Sequence, residues 1–388
     1  MPATIGDELF IGEQVAYWRK RRGKTQRALA GLAGMSQPYL SHIERGLRPV
    51  DRRATLVALA GALGVSVAEL TGQPGDPLGP ARAQTAASVP MIREALIMRE
   101  VGELRPPVGS VAELMAAGGA YDFATAAPML PSLLGGLTGP DLIQVSHVAV
   151  FTLKHLGYPD LGRDAARLAV LEAQNLGDPA WIGAAEFIRI LSMPPELPRV
   201  PEQRAQLTAD AIQPQIGNPE VRQAYGMLHL YASLRAAVDR KAADAMDHLR
   251  EAQDVADSLG EPDELGLARF AFGPTNVDIW RLAVLLELGE TGPAIEHAAS
   301  VTPERIPLAI RQAPFYLDLT QALASRRRDD EAVAMFLRAE AIAPQYVRLS
   351  PTVRDTIAVI TRRTRKNAIS KPLRRAAVAV GLGDQLVR

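Results

Sequence analysis

The stretch Gln26 to Ile43, QRALAGLAGMSQPYLSHI, decides how the N-terminal region folds. Two short helices that cross steeply need apolar residues where they touch, a small residue where the backbones approach, and a residue that turns between them without strain. Leu29, Ala33, Met35, Leu40 and Ile43 supply the apolar contacts, and Ala30 is the small residue of the first helix. Gly34 stands at the turn, where a positive φ would strain any residue bearing a Cβ. Ser36 then takes the N-cap of the second helix, and Pro38 falls in its first turn, where a missing N–H costs little.

Charge is distributed around this stretch unevenly. Over 388 residues, 43 basic side chains balance 43 acidic ones. The zero hides unlike parts: Met1 to Gln73 carries +4, Pro74 to Thr361 −11 and Arg362 to Arg388 +7. Between Glu13 and Arg53 there are 10 basic residues against 3 acidic, so overall neutrality does not exclude a nucleic-acid-binding head. The absence of cysteine excludes disulfides, thiolate metal sites and cysteine nucleophiles. With 47% apolar residues the chain can bury large cores, and its length points to two or three domains. Met1 to Phe10 holds two acidic residues and no basic one, unlike a secretory signal. No apolar run approaches the roughly 20 residues that span a bilayer. The expectation is a cytoplasmic protein with no membrane partner.

Aromatic residues make up 5% of the chain, and Ala, Leu, Arg and Glu recur with apolar positions at i, i+3, i+4 and i+7, which predicts an all-α fold. Thr71 to Pro80, TGQPGDPLGP, places three prolines and three glycines in ten residues and reads as a linker. The expected domains are 1–72, a linker at 73–83, and a helical body at 84–388. Within the body, Pro and Gly divide the helices at Arg105-Pro106-Pro107, Gly157-Tyr158-Pro159, Gly177-Asp178-Pro179, Pro194-Pro195, Gly217-Asn218-Pro219 and Gly260-Glu261-Pro262. A loose repeat aligns Asp164 to Asp178, Asp244 to Glu261 and Asp330 to Ala343, each with small alanines on one face. Helix pairs of this kind bury their faces by stacking, and the pattern resembles a degenerate tetratricopeptide α-solenoid.

The residues Thr25-Gln26, Leu29-Ala30, Gly34, Ser36-Gln37, Tyr39-Leu40-Ser41 and Ile43-Glu44-Arg45-Gly46 resemble the helix-turn-helix of the XRE family, the lambda-repressor-like regulators. The resemblance covers Glu13 to Leu70 and implies a five-helix DNA-binding domain. With Leu40 and Ile43 inward, Gln37, Ser41 and Arg45 lie on the opposite face, beside Pro38 and His42, and Ser36 and Tyr39 complete the set. Gln37 suits a bidentate pair with adenine, His42 and Ser41 reach base edges, and Arg45 a guanine or a phosphate. The resemblance further implies a phosphate contact by Gln26, with Thr25 and Arg27 beside it, and a structural role for Glu44. Lys20, Arg21, Arg22, Lys24, Arg48, Arg52 and Arg53 are expected phosphate neighbours. The expected partner is double-stranded DNA with a pseudo-palindromic operator, bound by a homodimer.

The layout also resembles actinobacterial regulators in which such a head precedes a tetratricopeptide-like sensor. The segments Phe272 to Val277, Trp280, Arg311 to Asp318, Asp330 to Val333 and Ile342 to Gln345 carry that likeness. It implies a peptide or small-molecule effector; a helix opening at Thr275 places Asn276, Trp280 and Val284 near one another at i, i+4 and i+8, so Asn276 and Trp280 are candidate contacts, with Arg311 and Tyr316 as further ones, each also compatible with packing. The basic tail from Arg362 is expected either to add phosphate contacts, to latch onto the acidic body, or to form a solvated helix. Glycine-rich phosphate loops, HExxH and GxSxG are absent from the sequence, and His147 and His155 read as ordinary helix residues. No catalytic residue, metal or cofactor is expected. The second functional reading is an interaction or antitoxin-like protein tethered through its small domain.

Overall fold

The computed structural model describes residues 10–71, 85, 87–262, 264–364 and 368–383; the expected linker at 73–83 lies outside them. Among the described residues every regular element is a helix and no strand occurs, as the periodicity predicts. Five helices open the chain: α1 (Ile11–Arg21), α2 (Gln26–Leu32), α3 (Gln37–Glu44), α4 (Arg53–Leu63) and α5 (Val67–Thr71). Then come α6 (Val89–Glu100), α7 (Val111–Gly119), α8 (Phe123–Gly136), α9 (Gly139–Leu156), α10 (Pro159–Leu176), α11 (Pro179–Leu191), α12 (Arg199–Ile212), α13 (Pro219–Val238) and α14 (Ala242–Leu259). The chain continues through α15 (Pro274–Leu288), α16 (Thr291–Ala298), α17 (Ala309–Ser325), α18 (Asp329–Ile342), α19 (Pro344–Arg348), α20 (Pro351–Arg363) and α21 (Lys371–Ala379).

These helices divide between two compact units. The first combines Met1–Pro74 with Leu285–Ala299 and Ala313–Arg388, and the second combines Gly75–Val284 with Ser300–Gln312. The first unit is thus discontinuous in sequence. Its N-terminal core joins Val15, Leu29, Leu40, Ile43, Leu59 and Leu70. Gly12 sits where α1 meets α3: a Cβ there would lie 2.0 Å from the Ile43 carbonyl oxygen, so only glycine permits the approach.

Neither α1 nor α4 has a side-chain N-cap of its own, since Phe10 and Arg52 occupy those positions. Remote carboxylates fill the role. Asp355 of α20 accepts the Ile11 N–H at 3.1 Å through Oδ1 and the Val50 N–H at 3.2 Å through Oδ2. Glu287 of α15 accepts the N–H groups of Arg53 and Ala54, each at 3.0 Å. Both side chains are buried, and their oxygens meet donors that the start of a helix leaves unpaired. Arg53 also pairs with Glu287 and Asp318, and Arg362 pairs with Glu13 and covers the Phe10 ring. The described part of the basic tail is therefore partly committed inside this unit, with Arg363 on Asp329 and Arg375 on Glu340.

In the second unit the Pro and Gly positions fall where the sequence places them. Gly157 and Gly177 end α9 and α10 in the left-handed conformation, while Asp178 and Asn218 cap α11 and α13. Pro128 and Pro131 do not break α8, which runs through both. The alanine faces are buried as the repeat pattern predicts: Ala165, Ala166, Ala169 and Ala173 in α10, and Ala245, Ala252 and Ala256 in α14. α9 packs along α10, and α13 along α14. Small residues let those backbones approach closely.

Candidate nucleic-acid interface

The motif of α2, the turn and α3 forms as its residue types require. Thr25 caps α2 by accepting the Ala28 N–H, and Ser36 caps α3 by accepting the Tyr39 N–H. Gly34 holds φ at 66°, and Gly46 takes the same value after α3. With both helix starts satisfied locally, α3 keeps Leu40 and Ile43 in the core. Ser36, Gln37, Pro38, His42 and Arg45 are left exposed and Ser41 half-buried along the opposite side.

A chain of hydrogen bonds runs from the interior to that exposed side. Arg19 of α1 donates to Glu44 through Nε at 2.6 Å and through a terminal nitrogen at 2.9 Å, a bidentate pair that is largely buried. Gln26 donates through Nε2 to the other side of the network, Glu44 Oε2, at 2.8 Å. Its Oε1 then accepts from Gln37 Nε2, also at 2.8 Å. The carboxylate thereby fixes which way the Gln26 amide faces, and Gln26 in turn fixes Gln37. Gln37 is exposed, and among the described residues its carbonyl oxygen and second N–H make no other bond within the domain, which leaves one acceptor and one donor of the amide for a partner.

Residues 11–71 match the helix-turn-helix domain family. Over 65 residues the chain is 41% identical to the immunity repressor protein of Bacillus phage phi105, covering 17% of this chain and 44% of that protein. Over 61 residues it is 45% identical to an uncharacterized HTH-type transcriptional regulator of Sinorhizobium fredii, covering 16% of this chain and 78% of that one. The chain belongs to the helix-turn-helix family. The likeness lies in the N-terminal domain, and the chain spans less than half the length of the phage relative. No solved structure matches this helix-turn-helix protein.

Its basic residues fall into two groups that the sequence alone does not separate. Arg22 donates to the carbonyls of Leu63 and Gly64, Arg53 is held by Glu287 and Asp318, and Arg48 and Arg52 lie beside Asp51. These four were expected near phosphates; each has a partner within the first unit and keeps part of its side chain exposed. Tyr39 is half-buried, with its ring under Arg48 and its hydroxyl donating to Asp51. Arg27, Arg45 and Lys20 are exposed, and among the described residues no carboxylate pairs with them. Arg19, which anchors the whole network, was not singled out from the sequence; its position at the end of an amphipathic helix looks like any solvated cation.

Of the four candidate effector contacts, Tyr316 belongs to the first unit and Asn276, Trp280 and Arg311 to the second. Asn276 is fully buried and donates to the Phe270 carbonyl at 2.9 Å, the same acceptor that Arg311 uses at 3.3 Å. Trp280 is half-buried with its ring edge-on to Tyr231. Tyr316, in the first unit, is buried beneath the Arg338 guanidinium. Arg311 alone lines a cleft, in the second unit. Among the described residues no group of His, Asp and Glu side chains could hold a metal ion, and no helix is long and apolar enough to cross a membrane.

Proposed function

We propose that this protein is a sequence-specific transcriptional regulator that reads the major groove with α3. The observation that carries the reading is the Arg19–Glu44–Gln26–Gln37 chain, which presets a side-chain amide for base recognition before DNA arrives. Preorganisation of this kind spares the entropy of ordering a flexible reader on binding. Gln37 pairs with adenine, Ser41, His42 and Arg45 reach neighbouring base edges or phosphate, and Arg27 contacts phosphate beside the amide of Gln26. A single head of this size binds DNA weakly, so the functional species is a homodimer on a pseudo-palindrome with half-sites about 34 Å apart. The helical body, read as a tetratricopeptide-like solenoid, supplies dimerisation and senses an effector. The protein acts in the cytoplasm and performs no catalysis.

Selection of a bound sequence from random duplex DNA, followed by anisotropy titration of its single-base variants, tests the reading. Gln37→Ala should flatten discrimination at one adenine by about 1–3 kcal/mol, and His42→Ala should act at a neighbouring position. Arg27→Ala should weaken every sequence alike. Wild-type discrimination in both base-reading variants would refute the assignment.

A further inference from the structure

The second unit contains a small cavity of about 30 Å³. Such a space admits about two water molecules. Most of its lining is apolar, with Phe123, Val148, Phe151 and Leu308 among the walls. The charged side chains of the lining are both cations, Arg269 and Arg311, and neither Asp nor Glu joins them. That sign is opposite to the stretch Pro74 to Thr361, which carries −11. A cationic cavity in an acidic body calls for a local explanation.

Arg311 is more than nine-tenths buried. One terminal nitrogen donates to the Phe270 carbonyl at 3.3 Å, while its Nε–H is sealed from solvent without an acceptor. Arg48 and Arg189 also hide an Nε–H, but each meets a carboxylate through another nitrogen. Among the described residues no carboxylate pairs with Arg311. His147 Nε2 and Thr152 Oγ1, in the same lining, are buried without partners as well. Burial draws Arg311 down to about 10, still far above neutral pH, so the guanidinium remains charged. Burial and the Arg311 charge hold His147 down to about 3, so its ring is neutral and can present Nε2–H as a donor without adding charge. A buried cation without counter-charge is costly, and buried donors without acceptors add to the cost. The adjoining backbone is strained too: Ala268, Arg269 and Ala271 adopt left-handed φ, of 48°, 56° and 48°. Strain of this sort gathers at ligand clamps.

We propose that this cavity binds one monatomic anion of chloride size, held by the Arg311 guanidinium and hydrogen-bonded by Thr152 and His147. A halide accepts from all three donors without an orientation of its own, and it brings the single negative charge that Arg311 lacks. Sulfate and phosphate, with four oxygens around the central atom, are too large for the space. The ion links α9 to Arg311, and through Arg311 to the Phe270 carbonyl of the strained segment. The site goes beyond the DNA-binding reading and requires neither DNA nor an effector.

The test uses the full chain in sodium gluconate, with sodium chloride, bromide or fluoride replacing gluconate at constant ionic strength. Broadening of the chloride NMR resonance should saturate and be displaced by bromide, and the melting temperature should rise along the same curve. Fluoride, whose hydration is harder to strip, should bind at least about tenfold more weakly. Arg311→Met should abolish the saturable response while leaving the anion-free protein at least as stable, since an apolar side chain removes an uncompensated charge. Thr152→Val, which removes one hydroxyl at nearly constant volume, should weaken chloride about tenfold, the share of one charge-assisted hydrogen bond, and decides the matter should the arginine variant misfold. No saturable response in the wild type would mean that the cavity holds water alone, and the proposal would fall. A response that both variants leave unchanged would mean an adventitious ion only, and fluoride binding as tightly as chloride would equally overturn the assignment.

Discussion

Replacing Asp355 with alanine should destabilise the first unit by an amount that depends on pH. The native carboxyl group accepts the Ile11 and Val50 N–H groups at 3.1 and 3.2 Å. Alanine leaves both donors buried without an acceptor, each costing roughly 1–3 kcal/mol, so the loss is about 2–5 kcal/mol near pH 5. Burial also pushes Asp355 up to about 7, against the two backbone N–H bonds and Arg362, with nearby Asp51 adding to the rise. The unfolded chain releases that proton near pH 4. Because the folded state holds it more tightly, the group's contribution is complete below about pH 4 and is lost as pH rises through about 7. At 1.36 kcal/mol per unit, the interval from about pH 5 to 7 removes about 3 kcal/mol. The cost of the alanine should therefore shrink toward zero by about pH 8.

Urea unfolding followed by Trp18 fluorescence, in a Trp181→Phe, Trp280→Phe background, isolates the helix-turn-helix domain. Other titrating groups, among them Asp318, raised by burial to about 6, act equally on both proteins and cancel in the difference. A cost that stays within about 0.5 kcal/mol of constant between pH 5 and 8 would refute the titration argument. A cost below about 0.5 kcal/mol at both ends would show that the two N–H groups do not depend on Asp355.

Glu44→Ala should cost about 3 kcal/mol in the same assay, because it leaves the largely buried Arg19 without its counter-charge. It should also loosen adenine preference, since Gln26 and Gln37 lose their anchor; unchanged preference would show that the chain does not preset the reader. The salt dependence of operator binding should reflect the cations left without acidic partners, Lys20, Arg21, Lys24, Arg27 and Arg45, giving a slope of about −4.5 per domain in log K against log salt. A slope near −9 would mean that all ten basic residues reach phosphate.

The helix-turn-helix was legible because its determinants are local. Gly34 at a left-handed turn, Ser36 two residues later as a cap, and Leu40 and Ile43 three apart are spacings that only neighbours in sequence have to satisfy, and all occur in place. The alanine faces of α10 and α14 were legible for the same reason. What the sequence did not disclose depends on partners far along the chain. Arg53 and Arg22 look like any surface cations until Glu287 lies 3.1 Å from one and the Leu63 carbonyl 3.0 Å from the other. His147 read as an ordinary helix residue, since nothing in α9 announces that Arg311 and Phe270 close around it. Asn276 was grouped with Trp280 by helical spacing, yet the backbone carbonyl that claims it belongs to an irregular segment that no periodicity marks.

The caps divide the N-terminal domain into two kinds of helix. α2 and α3 carry their own, Thr25 and Ser36, so the pair that forms the reading motif is satisfied by its own sequence. α1 and α4 begin at Phe10 and Arg52, which cannot cap, and draw on Asp355 and Glu287 from segments hundreds of residues away. An N-cap contributes about 1 kcal/mol. The borrowed caps therefore bear on the stability of the scaffold helices rather than on the geometry of the reader. The same carboxylate that caps α4 also pairs with Arg53, so one buried acidic side chain both supports a helix start and engages a cation of the domain. Distant carboxylates meet one cation of the domain, Arg53, while Arg48 and Arg52 lie beside the neighbouring Asp51 and Arg27 and Arg45 stay exposed, so the zero formal charge of the chain does not set how its basic residues are distributed.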